Sequence, residues 1–380
     1  MTATPRADAI VVGAGIVGAA CALALANDGW RVIVVDAEFP AAGTTSVGMG
    51  HLVAMDDSPE QLALTAYSLQ LWNELAPQLD TRAEREPCGT LWVAEDGEQL
   101  AAVESKRFTY QSVGLDAELL DEQSLMEAEP NVRRGLAGAL RVPGDSVVYP
   151  PGATLCMLDL ARARGATVRE RTRVREIGAH AVVCEHDTLR AEIVVNAAGP
   201  SAAMLTPGLP IVPRKGHLAI TDRYHGFCRH QLVELGYLTS AHVMTNESVA
   251  FNLQPRQTGQ VLIGSSRELV GWDATLNHDI LRRMLARAVE FVPSLRDLSI
   301  IRCWTGFRPA TPDKLPLIGR WPPVDGLYIA AGHEGLGITS SLGTARLLAD
   351  EVAARASAID RAPFSPSRVL DARASVGSHA

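Results

Sequence analysis

No C-x-x-C pair occurs in this chain of 380 residues, and its six cysteines (Cys21, Cys88, Cys156, Cys184, Cys228, Cys303) are scattered. That spacing spells neither an iron–sulfur cluster nor a zinc site, so no metal is expected. It suits a reducing cytoplasm better than a disulfide framework. A basic block is also missing: 35 Lys+Arg stand against 43 Asp+Glu, a formal net charge of −8, which argues against nucleic-acid binding through the phosphate backbone. There is no membrane-length apolar run. The stretch Ile10 to Ala26 is broken by Gly13, Gly15 and Gly18, follows Asp8 and ends at "NDG", so a soluble protein is expected. Internal repeats are absent, and no Ser/His/Asp or paired-carboxylate arrangement is evident. What remains is a chain with 47% hydrophobic residues, enough for a large core and for two domains or one composite one.

The amino-terminal stretch "DAIVVGAGIVGAACALALANDGWRVIVVD" reads as a strand (Ala9 to Val12), a G-x-G-x-x-G turn at Gly13, Gly15 and Gly18, an Ala-rich helix, and a second strand ending at Asp36. Gly13 permits the tight turn, Gly15 lets backbone approach a pyrophosphate at the helix start, and Gly18 lets the helix pack closely on the sheet. Asp36 stands 21 residues after Gly15, where a carboxylate accepts hydrogen bonds from an adenosine ribose. The unit predicts dinucleotide binding. By itself it does not separate FAD from NAD.

Three later segments bear on that choice. "GTTSVGMGHL" (Gly43 to Leu52) carries Thr45 and Ser46, suited to phosphate oxygens, and Gly48 and Gly50, which let backbone pass a flat ring. It reads equally as an ordinary Gly/Ser loop. "GATVRERTRVREI" and "AEIVVNAAGPSA" predict strands near Thr167 to Val174 and Glu192 to Asn196, the second entering a turn at Ala197, Ala198 and Gly199. Such a return to the nucleotide sheet brings backbone near a ligand at the carboxyl edge; a plain buried strand is the other reading. "GLYIAAGHEGLGITSSLGTARLLADEV" is a further strand, glycine turn and helix. The helix start would suit the N1/C2=O side of an isoalloxazine, where negative charge develops on reduction. An elongated cofactor needs this second glycine-rich turn; a nicotinamide does not.

Through "VVGAGIVG", "TTSVGMGHL", "VVNAAGPSA", "PRKGHL", "RPATPDKLPLIG" and "AGHEGLGI", nearly the whole chain resembles the FAD-dependent amine oxidoreductases that include D-amino-acid oxidase, glycine oxidase and monomeric sarcosine oxidase. The resemblance implies an α/β (α+β overall) fold, with a discontinuous Rossmann-like FAD domain (1–84, 145–212 and 305–360), a substrate domain on a large antiparallel sheet (85–144 and 213–304) and a peripheral tail (361–380). Sheet stretches are expected in "GTLWVAED", "PRKGHLAITDR", "SVAFNLQPRQTGQVLIGSS" and near Leu235 and Ile301, with "NHDILRRMLARAVEFV" a helix. FAD would be held by Gly13, Ala14, Gly15, Ile16, Val17 and Gly18; by Asp36 and Ala37; by Thr44, Thr45, Ser46, Gly50, His51 and Leu52; by Val174, Ala198 and Gly199; and by Gly332, His333, Glu334, Gly335, Leu336, Gly337 and Ile338. Covalent attachment is not expected, because Gly306 stands at the position of the attached cysteine of sarcosine oxidases and Cys303 is displaced from it.

By the same resemblance Arg308, in a proline-rich stretch read as a stiff loop, would clamp the substrate carboxylate. A guanidinium fork pairs two carboxylate oxygens. A structural ion pair to Asp313 or another acid is the alternative, and Asp313 itself is read as bracing the turn. Asn252 replaces the substrate-binding tyrosine of glycine oxidases and points to a different, hydroxylated substrate, or is an ordinary strand residue. Strand alternation puts it opposite Phe251 and Leu253. His51 and His333 are candidates for catalysis or for local hydrogen bonding, and Tyr237, His217 and Arg256 are further pocket candidates. The implied reaction is hydride transfer from a small amino or imino acid to flavin N5. Among family members "GMGHLVAMDD", "RKGHLAITDR" and "CWTGFRPATPDKLPLIG" look most like bacterial dehydrogenases of cis-4-hydroxy-D-proline. Glycine, sarcosine or D-amino-acid oxidase and an electron-relay subunit are the rival readings. The electron acceptor (oxygen, a quinone or a partner subunit) and the oligomeric state stay open; a membrane-bound acceptor would draw the protein to the inner membrane face.

Overall fold

The computed structural model describes residues 7–235 and 247–370; Tyr237 lies outside them. Strand Ala9–Val12 sits inside a six-stranded sheet, with Val32–Val35 and Ile193–Asn196 parallel on either side. Thr167–Arg169 and Leu327–Ala331 extend it in parallel, and Leu317–Arg320 closes one edge antiparallel. The central strands are unbroken Val, Ile and Ala runs because both faces are covered. Ala9, Val11, Val32 and Val34 pack toward helices Ile16–Asn27, Pro150–Arg162 and Ser341–Val352. Ile10, Val12, Ile33 and Val35 pack toward a three-stranded meander through Ile177, Val182 and Leu189.

A second sheet has eight strands, in the order Ile300–Ala310, Val212–Thr221, Val261–Glu268, Glu247–Pro255, Gln231–Glu234, Thr90–Ala94, Gly138–Val142 and Glu118–Asp121. Its pairings are antiparallel except that Gln231–Glu234 runs parallel to Thr90–Ala94. One face is covered by helix His278–Phe291, capped by the Asn277 side chain and buried through Ile280, Met284 and Phe291. Phe251 and Phe291 stack there with ring centroids 4.3 Å apart. The alternating residues, Asn252 among them, face the first sheet's ligand edge. That alternation polarises the sheet: apolar toward the helix, polar toward the site.

Two local expectations are corrected. Arg308 is not on a loop; it lies in strand Ile300–Ala310, paired with Arg214 across the register. This strand is the sheet's edge, where Pro309 can sit without breaking a ladder on its far side. Within the Gly43–Leu52 stretch, Thr44–Val47 forms a helical turn, and His51–Leu52 pairs with Ser146–Val147. Among the described residues no helix is long and apolar enough to cross a membrane, and no group of His, Cys, Asp or Glu could hold a metal ion.

Candidate active site

Gly13 adopts φ +106°, and a Cβ there would lie 2.5 Å from the Ala197 carbonyl oxygen. A Cβ on Gly18 would lie 1.9 Å from the Gly13 oxygen. Both positions therefore demand glycine, whereas a Cβ on Gly15 would meet only the Thr45 hydroxyl, at 3.1 Å. The space over the start of helix Ile16–Asn27 is thus open to a ligand at the end where a helix's N–H groups lack intrahelical partners. The Thr45 hydroxyl accepts the Ile16 N–H at 3.0 Å. Ser46 is turned back and donates to the Ala42 carbonyl, and Thr44 donates to the Phe307 carbonyl.

Asp36 accepts the Ala14 N–H at 2.6 Å and the Glu38 N–H at 2.8 Å. It ties the second strand to the glycine turn and keeps lone pairs for a sugar hydroxyl. Thr172, two residues before Val174, donates its N–H to the Asp36 carbonyl. Beside the first turn, Ala198 donates its N–H to the Asn196 side-chain oxygen and Gly199 is left-handed at φ +55°. These placements fit a dinucleotide laid along the carboxyl edge of the six-stranded sheet.

The far end of that edge is closed by the turn Gly332 to Ile338. Gly332 has φ +87°, and a Cβ there would meet Thr311 Cγ2 at 2.7 Å. His333 is buried and faces the last helix, its Nε2 2.9 Å from the Thr344 hydroxyl; it does not line the cavity. Ile338 and Thr339 instead offer carbonyls to the Trp72 indole. Gly50 has no room for a Cβ, which would lie 1.6 Å from the Val148 oxygen, and its N–H donates to Gln254 of the eight-stranded sheet at 2.7 Å.

Between this turn, strand His51–Leu52 and the polar face of the eight-stranded sheet lies a cavity lined by His51, Trp92, Arg214, Gln231, Asn252, Arg267, Glu334 and Leu336, among others. His51 Nε2 is buried with no hydrogen-bond partner among the described residues, and burial pushes the imidazole down to about 3. It stays neutral at working pH. Asn252 is buried with its Oδ1 unpartnered among the described residues.

Arg308 lies over Gly216: a Cβ on that glycine would sit 2.2 Å from Arg308 Nη1. Its Nη1 donates to the Ser266 carbonyl at 2.9 Å, and its Nε would be 3.7 Å from a Cβ on Gly335. Arg214 Nη1 and Arg267 Nε each lie 3.5 Å from Glu334 Oε1. Burial pushes the Glu334 carboxyl up, but Arg267, Arg308 and Arg214 outweigh that and hold it below its ordinary range. Three permanently charged guanidiniums thus surround one carboxylate, and the group can take in further anionic oxygens.

Asp313 pairs with Arg368 at 2.7 Å and accepts the Leu315 N–H. It braces its turn and leaves Arg308 alone. His217 is tied on both ring nitrogens, to Ser266 and Asn277. Arg256 is committed to Glu84 at 2.7 Å. Neither lines the cavity. Sequence reasoning missed Arg214, Arg267, Gln231 and Trp92 as wall residues; the alternation in "PRKGHL" puts Arg214 on one face with Gly216, the only local signal for any of them.

A family model described as FAD dependent oxidoreductase matches residues 8–351. The chain is 29% identical to a glycine oxidase of Geobacillus kaustophilus, over 96% of this chain and 98% of that one. It is also 29% identical to a D-amino acid dehydrogenase of Methylobacterium nodulans, over 96% and 99%. The crystal structure of the Geobacillus kaustophilus glycine oxidase superposes with a TM-score of 0.85 at 28% identity, covering 95% of this chain and 98% of that one.

Proposed function

Given that this chain belongs to the FAD dependent oxidoreductase family, we propose that this amino-acid oxidoreductase acts on a small amino or imino acid with cis-4-hydroxy-D-proline as its preferred substrate, giving a pyrroline carboxylate. The observation that carries the amino-acid reading is the convergence of Arg308, Arg214 and Arg267 beside the glycine turn at Glu334. A carboxylate-bearing substrate explains why charges that cannot be shed are gathered here, Arg214 and Arg267 in the cavity wall and Arg308 beside them without lining it.

Noncovalent FAD, when bound, supplies the acceptor for the hydride leaving the carbon next to nitrogen. The chain holds it through the glycine turn, Asp36 and the turn from Gly332 to Ile338. Arg308 fixes the substrate carboxylate and so aims the C–H bond. Neutral His51 offers a hydrogen bond to the amine end, and the apolar side chains Val53 and Leu336 keep water from the reacting carbon. No side chain has to remove a proton from carbon. The division into an FAD-binding part (1–84, 145–212, 305–360) and a substrate part (85–144, 213–304) is proposed with it; its boundary at 305 falls inside strand Ile300–Ala310 of the eight-stranded sheet, which puts Arg308 on the FAD-binding side.

The names of the glycine oxidase and D-amino acid dehydrogenase relatives support a second reading, a glycine or D-amino acid substrate. An electron-relay subunit would have no use for the arginine group. Anaerobic bleaching of the flavin by glycine, sarcosine, D-proline and both 4-hydroxyproline epimers tests these together. Fastest bleaching by the cis-D epimer is expected, preference for glycine supports the second reading, and bleaching by no amino acid refutes both. Oxygen uptake during turnover then separates an oxidase from a dehydrogenase that needs a quinone or a partner subunit.

A further inference from the structure

On the cavity wall away from the arginines, a set of buried polar atoms has no hydrogen-bond partner among the described residues. Gln231 is 1% exposed with both Oε1 and Nε2 unpartnered; Trp92, also 1% exposed, leaves Nε1, and Asn252 at 6% leaves Oδ1. The strand register brings them together. Trp92 lies beside Val233, Val233 lies beside Asn252, and Gln231 is two residues before Val233, hence on the same face. All four line the cavity.

Buried polar groups are nearly always satisfied, so three converging on one cavity indicate what it receives. The partner must both donate and accept. A carboxylate only accepts, and the reacting amine, one carbon from it, belongs at the arginine side of the cavity, whereas a hydroxyl farther along the substrate can donate to one amide oxygen while accepting from an amide or indole N–H. Glycine and sarcosine have no atom to place there.

We propose that Gln231, with Asn252 and Trp92, forms a hydroxyl subsite, so that the enzyme selects a hydroxylated amino or imino acid over its unsubstituted parent. This rests on the amino-acid oxidation proposed above and gives the hydroxyproline reading a physical basis. A site built to hydrogen-bond a substrate hydroxyl rejects the analogue lacking it, because its own groups are then left unpaired.

The test uses the holoenzyme and two substrate pairs, cis-4-hydroxy-D-proline with D-proline and D-serine with D-alanine, and measures anaerobic bleaching at low concentration. The hydroxylated member of at least one pair should react about tenfold faster or more. Gln231→Met should cut that ratio by about tenfold or more. Trp92→Phe, which removes only the indole donor, serves if Gln231→Met does not fold. Equal rates within both pairs of the parent, or a ratio that survives the substitution, would overturn the proposal. So would loss of FAD from Gln231→Met, since the amide would then serve the flavin. If no amino acid bleaches the parent, amino-acid oxidation is what fails; the subsite is then read from flavin absorbance shifts with the same pairs as ligands, and equal affinities within each pair would overturn it.

Discussion

Replacing Gly216 by Ala is the most selective perturbation of the proposed carboxylate clamp, because it alters a neighbour and leaves the Arg308 residue unchanged. Gly216 is not in a left-handed conformation, so the backbone accepts alanine. The new Cβ would however lie 2.2 Å from Arg308 Nη1, 2.8 Å from Cζ and 2.9 Å from Nη2, with no other neighbour that close. Ordinary contact begins at about 3.4 Å, so the guanidinium must move by roughly 1 Å or more, leaving its 2.9 Å bond to the Ser266 carbonyl. Arginine ends are flexible, and the cost to stability should stay within about 1 kcal/mol. The cost to function should be larger: a misplacement of about 1 Å can lower rate about a hundredfold when the C–H bond is no longer aimed. The assay is kcat/KM for flavin reduction, with melting temperature and bound FAD as controls. Arg308→Ala should lose at least as much, and Arg308→Lys should also lose because the two-point fork is gone. In the Arg308→Ala background, Gly216→Ala should add little, since the pair acts as one unit. If Gly216→Ala costs as much there as in the parent, it acts through something other than Arg308 and the clamp is misassigned.

Acid or heat should release FAD into the supernatant; flavin remaining with precipitated protein would mean a covalent bond. Asp36→Ala should weaken FAD binding by about 1.5–3 kcal/mol, the range of a charged hydrogen bond, read by fluorescence titration against the melting curve of FAD-free protein. Burial pushes the Asp145 carboxyl up to about 7, so the native state keeps a proton that the unfolded chain sheds between about pH 4 and 7. Stability should therefore fall as pH rises through that window, by at most roughly 4 kcal/mol, and Asp145→Asn should flatten the slope in urea melts at pH 5 and 8. Equal slopes would mean that Lys106 keeps the carboxylate ionised. Because His51 is held neutral well below working pH, His51→Gln should leave the pH profile of flavin reduction between pH 5 and 9 unmoved in shape; loss of an inflection there would contradict that state.

The nucleotide unit was legible because its constraints are local. Gly13 needs a left-handed turn, Gly18 needs bare backbone, and Val32–Val35 follows at a fixed distance, all within one supersecondary motif. Alternation likewise put Phe251 and Leu253 on one face and Asn252 on the other. Arg308 was misplaced because prolines suggest a loop, and nothing local says that a strand is an edge. Arg214, Arg267 and Gln231 were invisible for another reason. Their meeting depends on which distant strands become neighbours, and a single strand's pattern fixes a face without fixing the partner across it.

Glu334 belongs to the turn proposed to hold the flavin, yet its carboxylate is held by arginines of the other sheet. This places one charged group in both binding equilibria. On the proposed reading, substrate carboxylate entering the arginine group would change the hold on Glu334, and flavin seating the turn would change where Glu334 stands. Such coupling is reciprocal: whatever factor a carboxylate ligand gains from bound flavin, flavin must gain from the ligand. An unreactive carboxylate should slow FAD loss from the holoenzyme, and neutralising Glu334 should alter that protection rather than either affinity alone.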